Sequence, residues 1–316
     1  MYKKFYGVTK NPFEISPDPY FFHGTPRHLE ALANLYYGVR REKGFIVVTG
    51  EVGTGKTLLI RCLMKELAAG GVNFAYVFNP LLSVEDFFQC ILHDLGLPGP
   101  FGSKGQMLMA LNESLLKSHL EGKITAVIID EAQNLSSTLL EEIRLLTNLE
   151  TSDRKLLQVV LVGQPELDLK LDSANLRQLK QRIALRCALR PFDEVESRAY
   201  VVKRLEKAGA PATGVPVFSP TALSRIHANS RGIPRLINVI CENALIGGYA
   251  RQVRTVTAEM IDEVAKDLRL DVEATPLPTQ EAEMVEAKGL IRSLLRLLRT
   301  NEMDSNRPIN LGGLDK

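Results

Sequence analysis

The residues best suited to chemistry stand in one glycine-rich run: Gly50, Glu51, Val52, Gly53, Thr54, Gly55, Lys56, Thr57 and then Leu58. Gly50, Gly53 and Gly55 let the backbone curl so that successive N–H groups point at one anion. Lys56 is a cation suited to the β- and γ-phosphates of a nucleotide, and the Thr57 hydroxyl is a ligand for Mg²⁺. A helix opening at this point adds the partial positive charge of its N-terminus. A glycine turn could match the spacing by accident. The flanks argue for a phosphate site: an apolar β-branched run at 45–48 reads as a buried strand, and periodic apolar residues over 58–67 read as a helix.

Binding a phosphate is not hydrolysis, which needs carboxylates. Asp130 ends the apolar run in "AVIIDEAQ", and Glu131 follows it immediately. Asp130 is placed to serve Mg²⁺, directly or through water. Glu131 is placed to orient and polarise an attacking water. A charged pair at a strand end is also an ordinary surface feature; the phosphate loop upstream favours the chemical reading. Gln164, in "LVGQPEL", could hold the water or the γ-phosphate, or could simply occupy a Gly-Gln-Pro turn. In "LRQLKQRIALR", Arg177, Arg182 and Arg186 could reach a nucleotide on a neighbouring subunit or line a solvated helix face. Arg182 is the choice among them because it ends a helix just before a strand. Arg235, in "GIPRLINV", sits in the first turn of a helix, where a cation opposes the dipole. That local conflict suggests contact with a γ-phosphate from the far side of the site.

The elements that must hold these residues alternate. Strands are expected at 45–48, 72–78, 124–131, 156–163 and 184–190, with helices between them, including 26–40 and 138–149. That alternation means a doubly wound parallel sheet of the α/β class. Strand signals stop at about residue 191. Helical stretches then run to about 270, two of them opening on caps at Ser219 and Thr257. Four parts are expected: an aromatic segment, 1–24, packed on the core; an α/β domain, 25–190; a small all-helical domain, 191–270; and a tail, 271–316.

Bulk properties narrow the class. The 316 residues carry a net charge of +2, 45% hydrophobic and 24% charged residues, as ordinary globular chains do. The near-neutral charge weighs against a general nucleic-acid binder. The four cysteines are scattered, so neither a metal cluster nor a disulfide framework is expected. No segment has the roughly 18 apolar residues of a membrane span. The N-terminus lacks a signal peptide, so a cytoplasmic location is expected.

Taken together, "GEVGTGKT" as a Walker A motif, "VIIDE" as Walker B, Gln164, Arg182 and "GIPR" resemble an AAA+ ATPase, a P-loop NTPase with a five-stranded sheet and a helical lid. The stretches "FYGVTKNPFEISPDPYFFHGTPRHLEAL", "GFIVVTGEVGTGKT" and "IIDEAQNL" are similar to the ExeA/GspA type of general secretion pathway ATPase. The resemblance implies ATP hydrolysis with Mg²⁺ by a ring or other homo-oligomer, peripheral at the inner membrane. It also implies that Gln164 acts as sensor 1, Arg182 as arginine finger and Arg235 as sensor 2. The aromatic N-terminal segment would help to enclose the adenine. The longer secretion proteins continue into a membrane span and a peptidoglycan-binding domain; neither is expected here.

The expected role is to remodel or position a protein partner of an export system. A DNA-binding ATPase of the transposition-regulator kind is the alternative. In the tail, Met284, Ala287, Ile291, Leu294 and Leu298 repeat at helical spacing beside Arg292, Arg296 and Arg299. Residues 281–300 are thus expected to form an amphipathic helix, suited to a protein partner more than to lipid, because Glu281, Glu283 and Glu286 precede the arginines.

Overall fold

The computed structural model describes residues 2–270, apart from positions 79, 98, 153, 212 and 213. The expectations for the tail, including 281–300, lie outside the described residues.

A five-stranded, all-parallel sheet forms the centre. Its strands are β1 (Phe45–Gly50), β2 (Asn73–Val77), β3 (Thr125–Ile129), β4 (Leu157–Gly163) and β5 (Ile183–Leu189), in the order β2-β3-β4-β1-β5. The three inner strands, β3, β4 and β1, are buried along their whole length. Their unbroken apolar sequences follow from cover on both faces. β2 and β5 are edges, and their burial is only partial. Register sets Val47 beside Leu161 and Ile128 beside Val160. The carboxyl ends of β3, β4 and β1 therefore open side by side, where ligands of doubly wound sheets sit.

Helices fill the connections. A one-turn α1 (Lys3–Tyr6) precedes α2 (Pro26–Arg40), which Thr25 caps by accepting from the His28 N–H. Then come α3 (Lys56–Ala69), α4 (Val84–Asp94), α5 (Lys104–Leu120), α6 (Ser137–Leu146), α7 (Pro165–Leu171) and α8 (Arg177–Lys180). One apolar cluster on the sheet holds Leu35, Leu59, Leu63, Val48 and Val160; a second holds Phe87, Leu111, Ile143, Val127 and Leu161. From α2 to β5 each expected strand and helix forms, with ends shifted by at most three residues, while the one-turn α1 stands where an irregular segment was expected.

Four helices follow: α9 (Glu194–Lys207), α10 (Pro220–Ser230), α11 (Pro234–Ala250) and α12 (Ala258–Asp267). Asp193 and Glu196 form a reciprocal cap on α9, and Ser219 caps α10 as expected. Thr257 stands at the start of α12, but its side chain makes no capping bond. These helices have a core of their own, yet residues through Leu270 form one compact unit.

The aromatic segment, expected on the ATPase core, divides its packing. Phe22 packs against the sheet cluster, and Arg61 of α3 donates to the Pro17 carbonyl at 2.7 Å. Most of the aromatics go elsewhere: Tyr2, Tyr6, Phe13 and Phe21 join Tyr200, Ile237, Ile240 and Cys241 in the core of the helical lid. Tyr2 donates to Glu242 at 2.7 Å, and Tyr6 donates to the Val253 carbonyl. The reason is one of cover. The sheet faces are already covered by α2 to α6, whereas four short helices cannot bury their apolar faces alone.

Candidate functional site

The strand–loop–helix forms as its sequence demands. β1 ends at Gly50, the loop turns over residues 51–55, and α3 starts at Lys56. Gly53 has φ +82°, and a Cβ there would lie 2.9 Å from side-chain atoms of both Ile233 and Arg235. Only glycine serves both the left-handed turn and the close approach of the lid. Lys56 is buried and folds back on the loop, donating to the Gly50 carbonyl at 2.7 Å and the Glu51 carbonyl at 3.0 Å. Burial lowers its pKa, opposed by the charges of Glu131 and Asp130. A cation desolvated on neutral carbonyls is ready to exchange them for an anion.

Asp130 follows β3 and is buried. Its Oδ2 accepts from Thr57 Oγ1 at 3.0 Å and from the Tyr76 hydroxyl at 3.1 Å. Its Oδ1 accepts from the Glu131 N–H at 2.9 Å. Burial first, and Asp130 second, push the Tyr76 phenol well above its ordinary pKa, so it stays a donor. Two oxygen-bearing side chains, Thr57 and Asp130, thus stand together. That set fits Mg²⁺, which keeps waters and takes phosphate oxygens rather than an all-protein cage. Among the described residues no group of three or more His, Cys, Asp or Glu could hold a metal.

Glu131 adopts a left-handed backbone, φ 52° and ψ 37°, uncommon for a residue with a Cβ. Its Oε2 accepts from Gln133 Nε2 at 2.6 Å and from Gln164 Nε2 at 3.3 Å. Gln164 lies just past β4, so Glu131 and Gln164 meet across adjacent strand ends.

A cavity of about 430 Å³ opens over these groups. Lys56, Thr57, Glu131 and Gln164 line one side. Tyr200, Arg204, Arg235 and Asn238 of the lid line another, and residues 14–18 close a third. Arg235 is exposed, and its N–H donates to the Gly53 carbonyl at 3.2 Å. The N-terminal segment therefore borders the cavity through Glu14, Ile15, Ser16, Pro17 and Asp18, while its buried aromatics anchor it in the lid.

Arg177, Arg182 and Arg186 do not line this cavity. Arg182 donates to Thr147 Oγ1 at 2.6 Å and to the Arg144 carbonyl at 3.3 Å. Arg186 pairs with Asp168 at 2.9 Å, and Arg177 is exposed at the start of α8.

Sequence reasoning missed four participants. Gln133 had a signal, standing two residues beyond Glu131. Tyr76 had none, since strand alternation does not say that a tyrosine on β2 reaches a carboxylate after β3. His28 is buried between Thr25 Oγ1 and the Thr54 carbonyl, at the back of the loop. Arg204 reads as one more helix cation. In the structure it is buried, with its guanidinium over the Phe21 and Tyr200 rings. It donates to the Tyr200 hydroxyl and to the carbonyls of Pro12 and Glu14.

Comparison with known proteins agrees with this geometry. Residues 39–171 match the family model described as an AAA domain. Over 252 residues the chain is 46% identical to "General secretion pathway protein A" of Aeromonas hydrophila. That match covers 79% of this chain and 45% of the relative, so the chain spans less than half the length of the curated relative it matches. Among solved structures, Cdc6p from Pyrobaculum aerophilum superposes with a TM-score of 0.62 at 18% identity, covering 82% of this chain and 71% of that one. The Aeropyrum pernix ORC1 protein in complex with DNA gives 0.60 at 18% identity, with 83% and 70% covered. The Aeropyrum pernix ORC2 protein, in ADPNP–ADP complexes, gives 0.57 at 19%, with 78% and 71% covered. These three likenesses concern the fold alone. No helix among the described residues is long and apolar enough to cross a membrane. The chain therefore belongs to the AAA+ ATPases, and within them it is of the general secretion pathway protein A type.

Proposed function

We propose that this protein binds ATP with Mg²⁺ in the cavity between sheet and lid and hydrolyses it. The observation that carries the reading is the convergence of Lys56, Thr57, Glu131, Gln164 and Arg235 on one cavity, with Asp130 bonded to Thr57 at its edge. The loop N–H groups and Lys56 hold the phosphates. Thr57 and Asp130 hold Mg²⁺, which when bound neutralises charge on the phosphate oxygens. Glu131 accepts a proton from the water that attacks the γ-phosphorus, while Gln164 orients that water or the γ-phosphate. ADP leaves with the β–γ bridging oxygen, and phosphate is the second product. Arg235 reaches the γ-phosphate from the lid. Arg182 serves the site of a neighbouring copy in a homo-oligomer.

The work done with that energy is, on this reading, to remodel or position a protein partner of a secretion system at the membrane. The support is the identity to general secretion pathway protein A. The test has two arms. Equilibrium binding and phosphate release are measured on wild type and on Lys56→Ala, which should lose tight ATP binding. A wild-type protein that neither binds nor hydrolyses ATP sinks the reading. Cross-linking in cells should then capture membrane export components. Recovery of DNA instead, with salt-dependent affinity for duplex, would turn the assignment to the alternative.

A further inference from the structure

The side-chain amide of Gln133 lies between two groups that matter to the site. Its Nε2 donates to Glu131 Oε2 at 2.6 Å, and its Oε1 accepts from the Gln164 N–H at 3.0 Å. These two contacts fix the amide without ambiguity. A backbone N–H can only donate, so the oxygen must face Gln164 and the NH₂ must face the carboxylate. The base of this arm is held too. Gln133 sits in a tight turn, Ala132–Asn134, and its own carbonyl and that of Leu135, just past the turn, both accept from Lys170 Nζ at 2.7 Å. Space for the amide comes from Gly163, the last residue of β4, where a Cβ would stand 2.9 Å from Gln133 Oε1.

We propose that Gln133 is a positioning residue for Glu131. It ties the Glu131 carboxylate to the end of β4, so that Oε2 is occupied and Oε1 is the oxygen presented to the attacking water. Gln164 Nε2 reaches the same Oε2 at 3.3 Å and reinforces the choice. A glutamate in a left-handed backbone has no helix or strand of its own to set its direction, so an external tie does that work. The inference rests on the hydrolytic reading above, but the tie itself is tested apart from it.

The first measurement needs no nucleotide. A double-mutant cycle of Glu131→Ala and Gln133→Leu, read as urea unfolding midpoints of the full chain, should be non-additive. Additive midpoints overturn the tie. The second is steady-state hydrolysis with separate measurement of ATP affinity. Gln133→Leu should lower kcat by roughly 10- to 100-fold while the Kd and KM for ATP stay within about threefold, because the residue touches the base and not the phosphates. Gln133→Glu keeps the acceptor for Gln164 but sets carboxylate against carboxylate, and should fall at least as far. If Gln133→Leu fails to fold, Gly163→Ala displaces the amide while leaving Gln133 and Glu131 intact, and should lower kcat in the same sense. An unchanged or raised kcat in either variant overturns the positioning role. A wild type that binds ATP without turnover would sink hydrolysis alone, and the cycle would still decide the tie.

Discussion

At the scale of single residues, the site is a set of short polar contacts around a buried lysine and a buried aspartate, and each contact has a measurable consequence. Glu131→Gln should keep ATP affinity and lose turnover, because the amide cannot accept the water's proton; normal phosphate release from this variant would remove the role given to Glu131. Tyr76→Phe deletes one donor to Asp130 Oδ2. A hydrogen bond to a charged group contributes about 1.5–3 kcal/mol, so the Mg²⁺ concentration needed for half-maximal nucleotide binding should rise by roughly tenfold or more. An unchanged Mg²⁺ requirement would show the phenol to be a bystander. His28 gives a pH prediction. Its Nε2 faces the Thr54 carbonyl, which can only accept, so that nitrogen carries the proton and Nδ1 takes the Thr25 hydroxyl. Burial lowers its pKa below the ordinary histidine value. The neutral form is therefore favoured by folding. Its contribution is complete above about pH 6.5 and is lost as pH falls through that value toward the lower folded pKa. Urea midpoints at pH 7 and pH 5 should drop less for His28→Gln than for wild type.

At the scale of elements, the N-terminal segment behaves as part of the lid. Arg204 on α9 holds it by three kinds of contact: two carbonyls of the segment, the Phe21 ring and the Tyr200 hydroxyl. Among the described residues no carboxylate pairs with this buried guanidinium, so carbonyls and ring faces satisfy it. Removing it should cost about 3 kcal/mol, at the upper end for a single substitution, since a buried network is broken. Arg204→Ala should show that loss in urea denaturation. It should also expose residues 12–21 to limited proteolysis and weaken ATP binding through the loss of the wall at residues 14–18. A variant with wild-type protection of that segment would disprove the tether.

At the scale of the whole molecule, the proposed oligomer turns on Arg182. Within one chain that guanidinium is tied to Thr147 and the Arg144 carbonyl, away from the cavity of its own chain. On the proposed reading it serves the cavity of a neighbouring copy. Mixing Arg182→Ala with Glu131→Gln subunits should restore part of the activity that each lacks alone, and the rate per subunit should rise with protein concentration. Arg182 also bonds within its own chain, so the Arg182→Ala unfolding midpoint must be checked alongside. Activity that is independent of concentration, in a protein that stays monomeric with ATP, would exclude the intersubunit role. Every site residue lies before 271, and residues through Leu270 form a compact unit. A chain ending at residue 271 should therefore fold and keep basal hydrolysis; an insoluble or inactive product would refute that independence.

What the sequence determined by itself is local. Apolar runs of strand length and helical periodicity depend on neighbours a few residues away, so five strands, the helices after them and the loop at 50–57 were legible at once. The grouping of Lys56, Thr57, Asp130 and Glu131 at one end of the sheet was legible for the same reason, because each sits at a fixed offset from a strand end. Tertiary structure decided the rest. The strand order brings Gln164 beside Glu131, and no residue near either one encodes that neighbour. The phenol of Tyr76 crosses from the edge strand to a carboxylate 54 positions on. The aromatics at the N-terminus announced burial but not where, since stickiness is non-directional. They went to the lid because its helices had uncovered faces, and Arg204, an unremarkable cation in the sequence, became the buried clip that holds them there.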